Sequence, residues 1–370
     1  MKNKLIALVS LITLFISCIS PISSYAYNES LMFDMQALGV LKGVELRNRE
    51  DEGITRAEFI QIVANIMNIA PADGQWNMEN RFSDIAESKF SYSINTMYDI
   101  GIINGSGDSK FNPDNKILLT EGLKILVNML GYNGALSDQS LSSYYSLAAK
   151  IGLLHGVETS SDIIDTKSLL ALINNALDVE ILTFSYYTGD RSLIKSDDTY
   201  RQRLMKNKDY TIQKLKGVVT ADSTTYLNTK IVNLKRNQLE IEGKIYDFEG
   251  DAPIDLVGIY IEFYQRYYND GTQEVFSWRI SEDNDIYHFT SNEILETTAT
   301  AIKLESETVE ISNDTKYIYN GRLDKDWTIA KLNNLKNSSF VFIDNNKDSL
   351  ADVVFVWEYQ NRVVERVYDE

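Results

Sequence analysis

The feature of this sequence that most constrains its fold is a short glycine-bounded motif that occurs three times in the first half. The motif Gly-apolar-apolar-x-Gly occupies residues 39–43, 101–105 and 152–156. Each copy follows a helical pattern and precedes a loop and a second apolar helix. A Gly at the end of a helix suits the left-handed conformation of a C-cap. The sequence therefore predicts three copies of a unit composed of helix, turn, loop and helix.

The start of the second helix in the first copy carries the clearest candidate site. Thr55 and Glu58 have the spacing of a capping box, with Thr55 as N-cap and Glu58 reaching back. Arg56 projects from the first helical turn. Free N–H groups at a helix start, with an Arg beside them, suit a carboxylate or phosphate ligand. Other basic residues lie close by in the sequence: Lys42, Arg47 and Arg49.

Several segments of the first half resemble one known family. Residues 54–58 resemble the signature of the S-layer homology (SLH) domain. Residues 82–85, Ile94, 101–105 and 111–114 resemble the body of the same repeat. The resemblance implies three repeats packed as a helical prong with pseudo-threefold symmetry. It also implies grooves that bind secondary cell-wall polymers with pyruvylated sugars, in which the motif Arg contacts the acidic ligand.

The three predicted repeats are not equally equipped for such a ligand. We place them at about 27–70, 80–132 and 137–181. At the position of Arg56, the second repeat has Leu119 and the third has Thr166. One well-equipped site is therefore expected, assisted by the Thr55–Glu58 cap. The alternative is a helical scaffold that no longer binds polymer, because capping boxes also occur purely for helix stability.

The second half has a different character, and we predict an α + β protein whose helical and all-β parts are separate domains. Residues 182–208 mix Ser, Asp, Lys and Arg and are predicted to be a linker. Residues 209–370 form a β-rich domain, a sandwich or barrel, with a hairpin turn at 269–271 and a last strand at 363–368. This domain resembles the β-rich segments that follow SLH repeats in some cell-surface proteins of bacilli and clostridia.

The N-terminal sequence and the net charge indicate the cellular location of the protein. Residues 1–26 have the charged, apolar and small-residue regions of a secretory signal peptide. Cys18, the only cysteine, is either incidental in the apolar region or part of a weak lipoprotein box. No later segment approaches the ~20 apolar residues of a transmembrane helix. A net charge of −17 argues against binding to nucleic acid or to an anionic membrane.

Candidate metal and catalytic residues are few. Four oxygen-bearing side chains have a spacing that resembles a calcium loop: Asp344, Asn346, Asp348 and Asp352. The alternative is a solvated turn between two strands, which Asn and Asp also favour. Calcium is therefore the only cofactor that the sequence suggests. The two histidines, His155 and His288, have no nearby partner for nucleophilic catalysis, so we predict a protein that is not an enzyme.

These observations predict a secreted protein at the cell-wall or S-layer surface of a Gram-positive-type bacterium. Its SLH repeats would anchor it non-covalently by binding a secondary cell-wall polymer, a glycan linked to peptidoglycan. Two alternatives act through the β domain. One is a wall-attached carbohydrate-active enzyme, and the other is an S-layer lattice component that self-associates.

Overall fold

The computed structural model describes residues 29–359 except 48, 50–51, 70–78, 106–107, 186–191, 229–232, 306 and 336. The predicted signal peptide at 1–26, which contains Cys18, and the predicted strand at 363–368 lie outside the described residues. The chain divides into two compact units, residues 1–208 and 209–370. Among the described residues, every helix is too short or too polar to cross a membrane.

The first unit contains the predicted helices. Helix α1 covers residues 29–37. The other helices are α2 (Arg56–Ile66), α3 (Ser91–Asp99), α4 (Leu119–Met129), α5 (Leu141–Lys150), α6 (Thr166–Asp178) and α7 (Tyr200–Met205), with a 3-10 turn at Tyr132–Ala135. Helices α2, α4 and α6 are the second helices of the three predicted units. They bury much of their surface, because apolar residues recur at helical spacing along them.

The glycine motifs end the first helix of each unit. Gly39, Gly101 and Gly152 have φ of 74°, 79° and 89°, the left-handed conformation that ends helices. An Asn near the end of each second helix then holds the turn. The Nδ2 atoms of Asn65, Asn128 and Asn175 each donate to the carbonyl oxygen that follows the motif's first glycine, at 2.9, 3.0 and 2.9 Å. This repeated contact joins the two helices of each unit.

Three isoleucines bring the starts of α2, α4 and α6 together. The N–H of Ile117 donates to the carbonyl of Ile54 at 2.9 Å, and the N–H of Ile164 donates to that of Ile117 at 3.2 Å. The N–H of Ile54 donates to the carbonyl of Ile164 at 2.9 Å and closes the ring. All three are at most 1% exposed, so the ring supplies these buried backbone groups with the partners they need.

The described residues of the segment predicted to be a linker, 182–185 and 192–208, form regular elements. This segment contains most of strand β1 (Glu180–Ser185), the antiparallel strand β2 (Ser192–Thr199) and α7. The N–H of Leu182 donates to the carbonyl of Leu130 at 2.8 Å, and the Tyr200 hydroxyl donates to that of Met129 at 3.0 Å. The polar composition indicated a linker, but a few buried side chains and backbone bonds attach this segment to the helical unit.

The second unit is β-rich, as predicted. Its strands are β3 (Tyr210–Ala221), β4 (Gln238–Ile241), β5 (Lys244–Asp247), β6 (Tyr260–Tyr268), β7 (Gln273–Ile280), β8 (Asp285–Thr290), β9 (Ile294–Thr297), β10 (Ala301–Leu304), β11 (Thr308–Tyr319), β12 (Arg322–Leu323), β13 (Ser338–Asp344) and β14 (Leu350–Glu358). Short 3-10 helices cover Ser291–Glu293 and Ile329–Asn334. The predicted turn at 269–271 joins β6 to its antiparallel partner β7.

These strands form two sheets. The first has the order β5-β4-β3-β6-β7 and curls, because the N–H of Glu249, just after β5, donates to the carbonyl of Val275 on β7 at 2.8 Å. The second has the order β8-β13-β14-β11-β10-β9, with β12 beside β11 and β11 parallel to β14. Alternating side chains from both sheets, such as Phe263 and Val353, form a shared core. A second core lies on the other face of the larger sheet.

Candidate binding site at the start of helix α2

Helix α2 begins with the predicted capping box. The N–H of Glu58 donates to Oγ1 of Thr55 at 3.2 Å, and the N–H of Thr55 donates to Oε2 of Glu58 at 2.9 Å. Thr55 has φ −76° and ψ 155°, the extended conformation of an N-cap residue. Two backbone donors at the helix start are therefore satisfied by the cap itself.

The expectation of free N–H groups beside Arg56 is wrong. The backbone N–H groups of Arg56 and Ala57 donate to the carbonyls of Asn115 and Pro113, at 2.9 and 3.0 Å. These carbonyls belong to a loop about 60 residues further along the chain, so local sequence gave no sign of the contact. Any ligand at this helix start must therefore be held by side chains.

Three contacts hold the Arg56 side chain in place. Its Nε donates to the carbonyl of Phe111 at 3.0 Å, and its guanidinium carbon lies 4.8 Å from the centre of the Phe111 ring. Its Nη1 lies 2.9 Å from Oε2 of Glu121, a residue of the first turn of α4. The side chain of Arg56 is 16% exposed. Its Nη2 has no acceptor among the described residues, so part of the guanidinium remains available.

The other predicted basic residues do not join Arg56. Arg49 pairs with Glu58 through Nη1 and Oε1 at 2.6 Å, and with Glu52 at 3.2 Å. Burial acts to raise the pKa of Glu58, but hydrogen bonds from Arg49 and Thr55 lower it below its usual value. Arg49 therefore supports the cap rather than a ligand.

Lys42 and Arg47 are exposed and, like Arg49, are not among the residues that line the nearby groove. The predicted basic group around Arg56 is therefore not assembled from these three residues.

A groove of about 570 Å³ runs past Arg56, between the starts of α2 and α4 and the loop that precedes α4. Its charged lining consists of Arg56, Lys116, Lys124 and Glu121. Amide and apolar side chains complete it: Asn104, Asn112, Asn115, Ile60, Ile102, Ile103, Phe111, Ile117, Leu118, Ile125 and Leu141. Three cations face one carboxylate here, in a chain whose net charge is −17. This local excess of positive charge suits an anionic ligand.

Sequence reasoning missed the two lysines of this groove. Lys116 donates to the carbonyl of Gly53 at 2.5 Å, and Nζ of Lys124 lies 5.5 Å from the centre of the Tyr144 ring. Lys116 lies shortly before the start of α4, and Lys124 lies shortly after it. A search for basic residues near the second repeat's helix start, rather than near Arg56, would have found them.

The equivalent positions in the other copies hold no cation. Leu119 is 6% exposed and Thr166 is 3% exposed. The Thr166 hydroxyl donates to the carbonyl of Arg49 at 2.7 Å and thereby links the third copy to the first. These positions serve packing and backbone bonding.

The predicted calcium residues form a turn between β13 and β14. Asp344 is 2% exposed, and its carboxylate accepts three backbone N–H groups of its own turn at 2.7–3.1 Å. Asp352 accepts the N–H of Asn345 at 2.9 Å, and burial raises its pKa. Among the described residues, no group of three or more His, Cys, Asp or Glu side chains is placed to hold a metal. These contacts favour the turn interpretation.

The comparisons with known proteins agree with the resemblance. Residues 81–118 match the family model of the S-layer homology domain. This match includes the loop that forms one wall of the groove. The chain therefore contains an S-layer homology domain, and a β-rich region follows it, as the sequence predicted.

Three curated relatives carry surface or wall names. The chain is 23% identical to a cell surface protein of Thermoanaerobacter kivui, across 94% of this chain and 45% of the relative. It is 23% identical to the middle cell wall protein of Brevibacillus brevis, across 57% of this chain and 21% of the relative. It is 22% identical to a surface layer protein of Brevibacillus choshinensis, across 68% and 24%.

The chain thus spans less than half the length of these relatives, whose names denote surface proteins and not enzymes. Together with the S-layer homology domain, the names support a location at the cell-wall surface.

Proposed function

We propose that the helical unit is a three-repeat SLH bundle with pseudo-threefold symmetry, and that it holds the protein non-covalently on the cell wall. The ring of Ile54, Ile117 and Ile164 supports this arrangement, because equivalent residues of three copies exchange equivalent bonds. Residues 1–26 would direct export, and the wall would be that of a Gram-positive-type bacterium.

The ligand of this unit is a secondary cell-wall polymer that bears acidic, pyruvylated sugars. The observation that supports it best is the groove in which Arg56, Lys116 and Lys124 outnumber the single carboxylate of Glu121. A sugar carboxylate would accept from Nη2 of Arg56, in a charge-assisted hydrogen bond. The Asn side chains of the groove would bind sugar hydroxyls, and its apolar residues would contact methyl groups.

The pair between Arg56 and Glu121 sets a condition on this ligand. Glu121 also accepts the N–H of Leu118 at 3.3 Å, so it is held at the start of α4 while it orients the guanidinium. A carboxylate ligand must approach from the side away from Glu121, because two like charges in contact repel. The lysines of the groove are the groups that offset this repulsion.

An Arg56→Ala variant tests the proposal. The protein is sedimented with sacculi that either keep or lack their secondary polymer. We expect wild type to bind only the first kind, and Arg56→Ala to bind it at least about tenfold more weakly, since a charge-assisted hydrogen bond is lost. Circular dichroism establishes that the variant is folded.

The matched control is Arg81→Ala. Arg81 is an exposed arginine of the same unit that pairs with Asp99 at 2.8 Å and does not line the groove. Arg81→Ala changes the net charge by the same amount as Arg56→Ala does. It should leave wall binding unaltered. Unchanged sedimentation of Arg56→Ala, or equal binding of wild type to both kinds of sacculi, would refute the proposal.

A further inference from the structure

The β-rich unit contains its own cleft, of about 1130 Å³. One side is the turn between β4 and β5 in the five-stranded sheet. The other side is strand β11 of the larger sheet together with residues 323–329. Its volume slightly exceeds the usual range for small-molecule sites, which suits an oligomer better than a single small ligand.

Two aromatic residues of this cleft have polar groups without partners. The rings of Tyr317 and Trp327 lie 5.0 Å apart at 32°, and the residues are 9% and 4% exposed. Neither the Tyr317 hydroxyl nor the Trp327 indole N–H has a hydrogen-bond partner among the described residues, and neither atom is among the fully buried polar atoms that lack one. Buried Tyr and Trp usually find such a partner. Since both residues line the cleft, a ligand there would supply it.

The Tyr317 hydroxyl keeps its proton under ordinary conditions. Burial raises the pKa of Tyr317 to about 12. The hydroxyl can therefore both donate and accept at neutral pH, as a sugar hydroxyl does.

The remaining polar lining is mostly uncharged. Amide and hydroxyl groups dominate it, notably Asn228, Asn313, Ser312 and Thr328. Such groups match a ligand that presents both donors and acceptors.

Among the described residues that line the cleft, positive and negative charges balance. Lys316 and Lys325 are exposed, and Asp324 and Glu240 line the same cleft. The carboxylate of Glu240 is already occupied, since it accepts from Thr220 Oγ1 at 2.7 Å and from Asn228 at 3.0 Å. No excess of either sign selects an ion, in contrast to the groove at Arg56.

We propose that this cleft binds a neutral oligosaccharide, with Tyr317 and Trp327 donating to its hydroxyl or acetamido oxygens. Rings with polar edges, amides and balanced charge together fit an uncharged, hydroxyl-rich chain. This site is independent of the anionic polymer proposed for the helical unit.

The test is calorimetric titration of the full chain with two neutral probes, chitotetraose and maltotetraose. We expect at least one to bind, and Tyr317→Phe to weaken that binding about fivefold, because one hydrogen bond is lost while the ring remains. Asn313→Ala, at an exposed position, should weaken it about threefold without touching the core.

Two controls separate this site from others. Tyr359→Phe removes the hydroxyl of an exposed tyrosine outside the cleft, and Arg56→Ala alters the helical unit. Both should bind the probe as wild type does. Absence of binding of both probes at millimolar concentration, or equal affinity of wild type, Tyr317→Phe and Asn313→Ala, would overturn the proposal.

Discussion

The first and third copies of the helical unit share a backbone arrangement at the starts of α2 and α6. Ile54 and Ile164 belong to the same hydrogen-bonded ring. Thr55 and Asp165 each cap the following helix through a side-chain oxygen. The two copies are therefore equivalent in the contacts that determine the fold.

Their side chains at the next positions differ in chemistry. Arg56 lines a groove, whereas Thr166 is buried and donates to a backbone carbonyl. Glu58 forms an ion pair, whereas its equivalent Ser168 is 2% exposed. The comparison teaches that backbone bonds and buried isoleucines maintain the repeat, so that the first-turn residues can change without loss of the fold.

The largest expected effect breaks what all copies share. Ile117→Ala should lower the free energy of unfolding by about 2–5 kcal/mol, because it leaves a cavity at a residue that is 0% exposed. Denaturant unfolding followed by helical circular dichroism measures it. Ile100→Ala, at a position 49% exposed, should stay within about 0.5 kcal/mol of wild type. Similar losses in both variants would contradict a special role for the buried isoleucine side chain.

A smaller effect concerns the asparagine near the end of the second helix of each copy. Substituting each one tests whether the stability of the three copies depends equally on it. Asn128 is 9% exposed and also accepts from the Tyr144 hydroxyl at 3.1 Å, so Asn128→Ala should cost about 1–3 kcal/mol. Asn65→Ala and Asn175→Ala should cost less, because Asn65 and Asn175 are less buried than Asn128 and water can more easily replace their hydrogen bonds. The same unfolding measurement decides the order, and equal costs would contradict it.

The smallest effect concerns Glu58, which pairs with Arg49, whereas its equivalent in the third copy is the uncharged Ser168. The pKa of Glu58 is lowered in the folded protein, so its ionised form stabilises the fold above its usual pKa of 4.5. Glu58→Gln should therefore cost about 1 kcal/mol near neutral pH. That difference should shrink as the pH falls through the folded pKa of Glu58.

Stability curves of wild type and Glu58→Gln between pH 3 and 7 measure this dependence. Ser168→Ala in the third copy is the reference, since Ser168 carries no charge. A gap between wild type and Glu58→Gln that stays constant over this pH range would contradict the ion pair's role.

Local sequence was a good guide to the elements and a poor one to their partners. The capping box of Thr55 and Glu58 and the turns at Gly39, Gly101 and Gly152 were predicted because they depend on neighbouring residues. The segment 182–208 was misjudged, since its attachment depends on contacts such as that of Tyr200 with Met129.

The candidate site likewise contains one residue that the sequence identified and several partners that it did not. Arg56 was identified from its motif, but its partner Glu121 and the lysines of the groove come from a later repeat. Arg49 was grouped with Arg56 by proximity, yet it pairs with Glu58. Ion pairs follow distance in space, and sequence spacing predicts that distance only within one helix.

By itself the sequence determined the capping box at Thr55, the glycine turns and the change to a β-rich second half. Each of these follows from backbone conformation and from apolar periodicity over a few residues. Only the tertiary structure decided which charges meet in the groove at Arg56, and which polar groups of the described residues line the cleft at Tyr317 without a partner there. Those outcomes depend on how distant segments pack, because both the strength of an ion pair and the cost of an unpaired group are determined by burial.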